Sequence, residues 1–294
     1  MNSIFGDRRT ILILLGPALL FYTLVKLVPA LWTGGLALFK GNLITGFRFV
    51  GFDNFVRFAH DPVALHAMWF SVGLSLILTL AHVVLGYGLA LLYTFVLRHG
   101  SAFIRTIAFF PIVLPTVAVG LLFSRLFAYA PESGVVNTVI EVAGGEPVDW
   151  FATFGTSVIV LVIMEVWRTT GFYAVLLYSG LVDIPDEIIE SARIDGANGL
   201  SLVRSIVIPL SLPVLLSTTI FGLNSTLKVF DTVLALTDGG PGTDTTPLTL
   251  HMFRTVFSYG DYGYGSSLAT ILTAICFLVT IAIFNSSRRD ITKG

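Results

Sequence analysis

Glu165, Arg168, Lys228 and Asp231 stand inside otherwise apolar runs of this chain. A charge in hydrocarbon is costly, and one that persists there pairs, relays a proton or meets a ligand. Glu165 and Arg168 are three residues apart, so on a helix the carboxylate and guanidinium share a face and can pair. They belong to the run Glu165-Val166-Trp167-Arg168-Thr169-Thr170-Gly171-Phe172-Tyr173. Further along, Gly222, Ser225, Thr226 and Val229 fall on one helical face, a narrow stripe of small and hydroxyl side chains interrupted only by Val229. Such a stripe suits two uses, hydrogen bonding to a substrate and close packing of helices in a membrane.

Other chemistries lack their residues. The single cysteine, Cys276, lies in an apolar run, and the five histidines are scattered without ligand spacing, so no metal site is expected. No G-x-S-x-G or H-E-x-x-H motif occurs, and no catalytic residue is assigned. No Gly-Lys dipeptide exists, which excludes a phosphate-binding P-loop. ATP, if used, binds on another chain, and no cofactor is expected on this one. The net charge of −1 comes without a basic, aromatic-interleaved patch, so nucleic acid is not an expected partner.

Composition sets the class. A hydrophobic fraction of 55% with 12% charged residues lies outside the range of soluble domains and places the chain in a lipid bilayer. A spanning helix needs about 20 mainly apolar residues. Windows at about 10–32, 68–97, 104–127, 155–181, 205–236 and 264–285 meet that length, giving an all-α integral membrane protein with six transmembrane helices in a single domain over 1–294. The first window is too long for a signal-peptide core and lacks a small-x-small cleavage site, so it reads as a retained span. Pro111 and Pro115 in the third window, and Pro209 and Pro213 in the fifth, open the backbone ladder, either as packing kinks or as bends lining a pathway.

With the N-terminus inside, the inner segments carry Arg8, Arg9, Arg98, Arg105, Arg193, Arg204, Arg288, Arg289 and Lys293. The outer ones carry Lys40, Arg48, Arg57 and Arg254. That asymmetry follows the positive-inside rule and puts both termini in the cytoplasm. Between the fourth and fifth windows lies a segment too charged for hydrocarbon, with Asp183, Asp186, Glu187, Glu190, Arg193, Asp195 and Arg204. Pro185 suits a helix start, Asp186 and Glu187 place negative charge on the first turn, and Gly196 suits a left-handed stop. Ile188, Ile189 and Ala192 form a small apolar face, and a second helix starts at Asn198 or Ser201. The segment is therefore a helical hairpin projecting into water.

The spacing of Glu190, Ala192, Gly196, Ile206 and Pro209 resembles the cytoplasmic coupling motif of binding-protein-dependent ABC importer permeases. Two positions depart from it: Ser191 stands where the family usually has Ala, and Ile208 where it usually has Leu. The block Leu236-Thr237-Asp238-Gly239-Gly240-Pro241, followed by Thr245 and Leu248, resembles the carbohydrate branch of these permeases, the maltose and glycerol-3-phosphate type. Weaker likenesses lie at Gly51 to Phe55 with Asp61-Pro62, at Gly134 with Asn137, and at Tyr262 to Ala269.

This resemblance implies the type I ABC importer permease fold with a cytoplasmic coupling helix, in a bacterial-type inner membrane. Asp186, Glu187, Glu190, Ala192, Asp195, Gly196 and Pro209 would serve ATPase coupling. Arg168, Thr169 and Phe172, with Gly222, Ser225, Thr226 and Val229, would line the substrate pathway. The implied partners are a second homologous permease in a heterodimer, an ABC ATPase dimer carrying ATP and Mg, an extracytoplasmic solute-binding protein and a sugar. Arg168 and Lys228 leave glycerol-3-phosphate or an acidic sugar open. An ion-coupled secondary transporter would need a relay among Glu165, Arg168, Lys228 and Asp231, and usually a two-fold internal repeat that this sequence lacks. A channel would need charge rings or a carbonyl filter signature, also missing.

Overall fold

The computed structural model describes residues 8–97, 100–129 and 132–291; Arg98 and Lys293, used for orientation, lie outside them. Helices dominate because in hydrocarbon a helix satisfies its backbone polar groups within its own segment. In chain order they are α1 (8–36), α2 (Asp53–His60), α3 (Pro62–Val96), α4 (Ser101–Val113), α5 (Thr116–Leu126) and α6 (Val135–Val142), with a hairpin of β1 (Phe39–Asn42) and β2 (Gly46–Phe49) before α2. Then come α7 (Phe154–Val182), α8 (Asp186–Ile194), α9 (Gly199–Thr226), α10 (Asp231–Leu236), α11 (248–258) and α12 (Tyr262–Ile291). Among the described residues five helices are long and apolar enough to cross a membrane alone, and α4 with α5 makes a sixth span if counted as one.

Two spans differ from the sequence expectation. The third is broken, with α4 and α5 at 93° to each other. Leu114 is extended (ψ 140°), because the ring of Pro115 pushes the residue before it out of helical space. The fifth begins earlier, at Gly199, stops at Thr226 and resumes only at Asp231. Pro209 and Pro213 stay inside α9; a widened π turn over Val203–Val207 precedes Pro209, which then needs no regular donor.

The chain forms two compact units, one of the residues to Pro62 with His251–Ala274, the other of Val63–Leu250 with the residues from Ile275. In the first, Asn54 is buried and its amide donates to the Ala37 and Phe39 carbonyls, each at 2.8 Å, tying α2 to the hairpin. Arg57 pairs with Asp261 at 2.6 Å and lies 3.8 Å over the Tyr264 ring, whose hydroxyl donates to Asp61 at 2.7 Å. This segment is thus ordered by its own contacts.

In the second unit, Phe70, Leu74 and Leu78 of α3 pack with Val119 and Phe123 of α5, Val160, Leu161 and Met164 of α7, and Val233 of α10. Helices approach closely at glycine. A Cβ on Gly171 of α7 would collide with the carbonyl of Ala108 on α4, whereas one on Gly88 of α3 would meet open space. The acidic loop after α5 is folded around Asn137, which is fully buried and bonds to Ala128 O, to both Val148 backbone groups and to Trp150 Nε1.

Gly171→Ala is expected to destabilise the protein by about 1–3 kcal/mol through overpacking, while Gly88→Ala leaves it unchanged. Thermal unfolding of the two variants in one detergent checks this, and equal stability would contradict the close approach. A second expectation concerns His251. Burial lowers its pKa from 6.5; Asp61 opposes, and Arg57 and Arg254 reinforce, that shift. The fold therefore holds the neutral ring, whose contribution is complete above pH 6.5 and is lost as pH falls from 6.5 toward the lowered value. The wild-type unfolding temperature should drop across that interval, and His251→Gln should flatten the drop; matching pH profiles would contradict the assignment.

Candidate functional site

Two places concentrate polar chemistry. The first is the hairpin between α7 and α9. Asp186 and Glu187 sit on the first turn of α8 and Arg193 on its last, each complementing the helix dipole. The stop is a Schellman motif: Ala197 N donates to Ala192 O at 2.9 Å and Gly196 N to Arg193 O at 3.1 Å, with Gly196 at φ +90°. Asp195 is the residue that enters this turn.

Ile189 and Ala192 are buried against Tyr87 and Ala90 of α3, Leu177 and Leu181 of α7, and Leu202 and Val207 of α9. The hairpin is thereby seated on the ends of three spanning helices. Its outer side carries exposed Asp186, Glu187, Glu190 and Asp195. Ile188 belongs to that exposed side and not to the apolar seat. Two apolar side chains missed in the sequence stand among the charges, Ile194 at 86% and Leu200 at 82% exposure. Exposed isoleucine and leucine among these charges would suit a docking surface.

The second place is a buried polar network inside the helices. Glu165 takes Arg168 with both oxygens, through Nη2 at 3.0 and 3.1 Å and Nε at 3.3 Å. It also accepts the Thr232 hydroxyl, on the first turn of α10, at 2.9 Å. Thr169 donates to the Glu165 carbonyl at 2.8 Å and lies 2.7 Å from His82 Nε2. The buried Nδ1 of His82 has no hydrogen-bond partner among the described residues. The His82 ring stacks on Tyr173 with centroids 4.4 Å apart.

The gap between α9 and α10 is held by the same kind of contact. Thr249 donates to the freed carbonyl of Val229, and Thr226 meets Thr79 of α3 at 3.2 Å. Beyond α10, Asp238 (φ 46°) and Gly239 (φ 79°) make the tight turn, and a side chain on Gly239 would collide with the Thr246 hydroxyl.

Of the pathway residues named from sequence, Arg168, Thr169 and Phe172 share a face of α7, with Thr169 buried and already bonded to His82. Phe172 clusters with Phe109, Tyr173 and Phe221. Gly222, Thr226 and Val229 are buried, Gly222 beside Thr79 and Tyr173, so of that stripe Ser225 alone is exposed. Its exposed neighbours on the helix are Phe221 and Lys228. Lys228 and Asp231 are exposed and neither makes an ion pair among the described residues. The network partners His82, Thr79, Thr232 and Thr249 were not anticipated. One signal existed: Ser71, Ser75, Thr79 and His82 lie on one face of α3, and all four are buried.

With this geometry in hand, the sequence pattern of one family, described as "Binding-protein-dependent transport system inner membrane component", matches residues 82–291, the stretch that holds both sites. The chain belongs to that family. It is 32% identical, over 94% of its length and 89% of the relative's, to the sulfoquinovosyl glycerol transport system permease protein SmoG of Agrobacterium fabrum. It is 31% identical, over 93% and 92%, to the trehalose/maltose transport system permease protein MalF of Thermococcus litoralis. Among solved structures it is similar to a chain of a bacterial ABC transporter that imports the acidic polysaccharide alginate, with a TM-score of 0.83 over 98% of this chain and 97% of that one at 21% identity. A second structure of an alginate transporter, in complex with a pentasaccharide-bound periplasmic protein, matches with a TM-score of 0.84 at 20% identity. These structures show the fold of an ABC importer permease, and the family makes the chain an inner-membrane transport component.

The exposed apolar pair on the hairpin yields a test. Ile194→Ser with Leu200→Ser should lower recovery of the co-expressed ATPase with this chain by about tenfold, the loss of two small hot spots, without altering thermal stability. Undiminished recovery would remove the hairpin's outer face as the docking surface.

Proposed function

We propose that this chain is the permease subunit of an ATP-driven importer that moves a sugar or oligosaccharide across the cytoplasmic membrane by alternating access. It works beside a second, homologous permease, two ATPase subunits and an extracytoplasmic binding protein, with its hairpin and both termini on the cytoplasmic side. The observation that carries the reading is the seating of α8. Ile189 and Ala192 are buried on the ends of α3, α7 and α9 while the opposite side is left bare. A motor gripping the bare side displaces three spans at once.

The energy comes from ATP binding differently to two global states of the assembly, and the hairpin transmits that difference as a rigid body. Glu190 presents its carboxylate on the docking side, while Asp195 and Gly196 fix the turn that sets the angle of α8. Pro209, just beyond the widened turn, marks where α9 enters the membrane. The pathway reading rests on Arg168, Phe172 and Ser225, the named residues that retain exposure, with Thr169, Gly222, Thr226 and Val229 behind them. The names of the curated relatives, sugar permeases among them, support the carbohydrate class.

Vesicles holding the two permeases should take up sugar only when the ATPase, ATP and the binding protein are supplied. Uptake driven by a proton or sodium gradient with this chain alone would sink the proposal. Gly196→Pro should abolish uptake by uncoupling the ATPase while insertion into the membrane continues. Substrate-stimulated ATP hydrolysis equal to wild type in that variant would count against the hairpin as the coupling element.

A further inference from the structure

The Arg168 guanidinium is satisfied along one edge only. Nε and Nη2 face Glu165, while Nη1 makes no hydrogen bond among the described residues and is not among their enclosed unpaired atoms. The side chain of Arg168 is 15% exposed and that of Glu165 8%. A guanidinium is planar, and its donors are fixed in direction once one edge is clamped. Here the clamp is itself held from a third side, since Thr232 donates to the same Glu165 oxygen that receives Nε. The outcome is a pair of N–H donors in a fixed place with the charge behind them cancelled.

We infer that Arg168 Nη1 is a hydrogen-bonding subsite for an uncharged, hydroxyl-bearing part of the sugar, and that Glu165 and Thr232 are positioning residues that make it selective against anions. This deepens the pathway reading above and rests on it. The sequence alone, with Arg168 and Lys228 as candidate pathway cations, left phosphorylated and acidic sugars open; the clamped arginine disfavours a carboxylate or phosphate at this point. An anion would gain little from a guanidinium already paired with a buried carboxylate, and would meet that carboxylate's charge at close range. A sugar hydroxyl needs only a donor, and Nη1 supplies two. The aromatic group of Phe172, Tyr173 and Phe221 lies alongside on α7 and α9. Exposed Lys228 is a separate charge outside this network.

The local potential can be read without knowing the sugar. In the assembled importer, with Cys276→Ser to remove the native thiol, Phe172→Cys places a thiol one helical turn from Arg168. The probes are an anionic and a cationic methanethiosulfonate, and the readout is the ratio of their reaction rates. Glu165→Gln should raise the anionic-to-cationic ratio about five- to tenfold, the effect of one uncovered charge a few ångströms away in a half-wet site. Arg168→Gln should move it by a similar factor the other way. The double change Glu165→Gln with Arg168→Gln should return it to within about twofold of the starting ratio. Because the two single changes act in opposite directions, loss of one variant to misfolding leaves the other decisive. Ratios unchanged in the single variants would overturn the inference and leave the pathway reading standing. A thiol that neither probe reaches in any nucleotide state would overturn the pathway reading, and the subsite with it.

Discussion

A polar group on a membrane-spanning helix has no water to turn to, so each one must find its partner inside the protein. That constraint organises the interior here. Glu165 answers it with two partners: Arg168 neutralises it, and Thr232 completes its hydrogen bonding from the far side of a helix break. Thr169 and His82 answer it jointly, as do Thr226 and Thr79, and the carbonyl freed where α9 stops is met by Thr249. The break in the fifth span is tolerated because these hydroxyls sit where the helix ladder ends.

The same economy makes the interior two-sided. Gly222 and Thr226 of α9, with Val229 just beyond its end, are used up in packing against α3 and α7, while Phe221, Ser225 and Lys228 stay exposed. A transport pathway needs polar groups that are fixed yet not fully satisfied, and Arg168 fits that description, since its clamped edge gives direction and its free edge gives capacity. Buried Thr169 is instead engaged by His82 and by its own helix.

At the other end, the hairpin joins a greasy underside to a charged upper side. The underside seats α8 on three helix ends, and the Schellman stop at Gly196 sets the angle at which it lies. Exposed Ile194 and Leu200 stand among the charges of that upper side. Under the proposed coupling, rigid seating on one side and an exposed surface on the other would let force applied at the hairpin reach the gate.

Much of this was legible in the residues alone. Long apolar runs fixed the membrane class. Pro185, the acidic first turn and Gly196 fixed the coupling helix almost to the residue, because capping and glycine stops are local effects that need no distant contact. The pairing of Glu165 with Arg168 followed from helical spacing. What sequence could not decide were features set by neighbours far along the chain: the right-angle break between α4 and α5, the early end of α9, and the burial of Thr226. Hydropathy averages over a window, so it counted Leu227 to Leu236 as part of one span, and helical periodicity names a face without saying what lies opposite it. Which face meets protein and which meets the pathway depends on contacts such as Thr226 with Thr79, 147 residues apart, and only the folded chain brings those together.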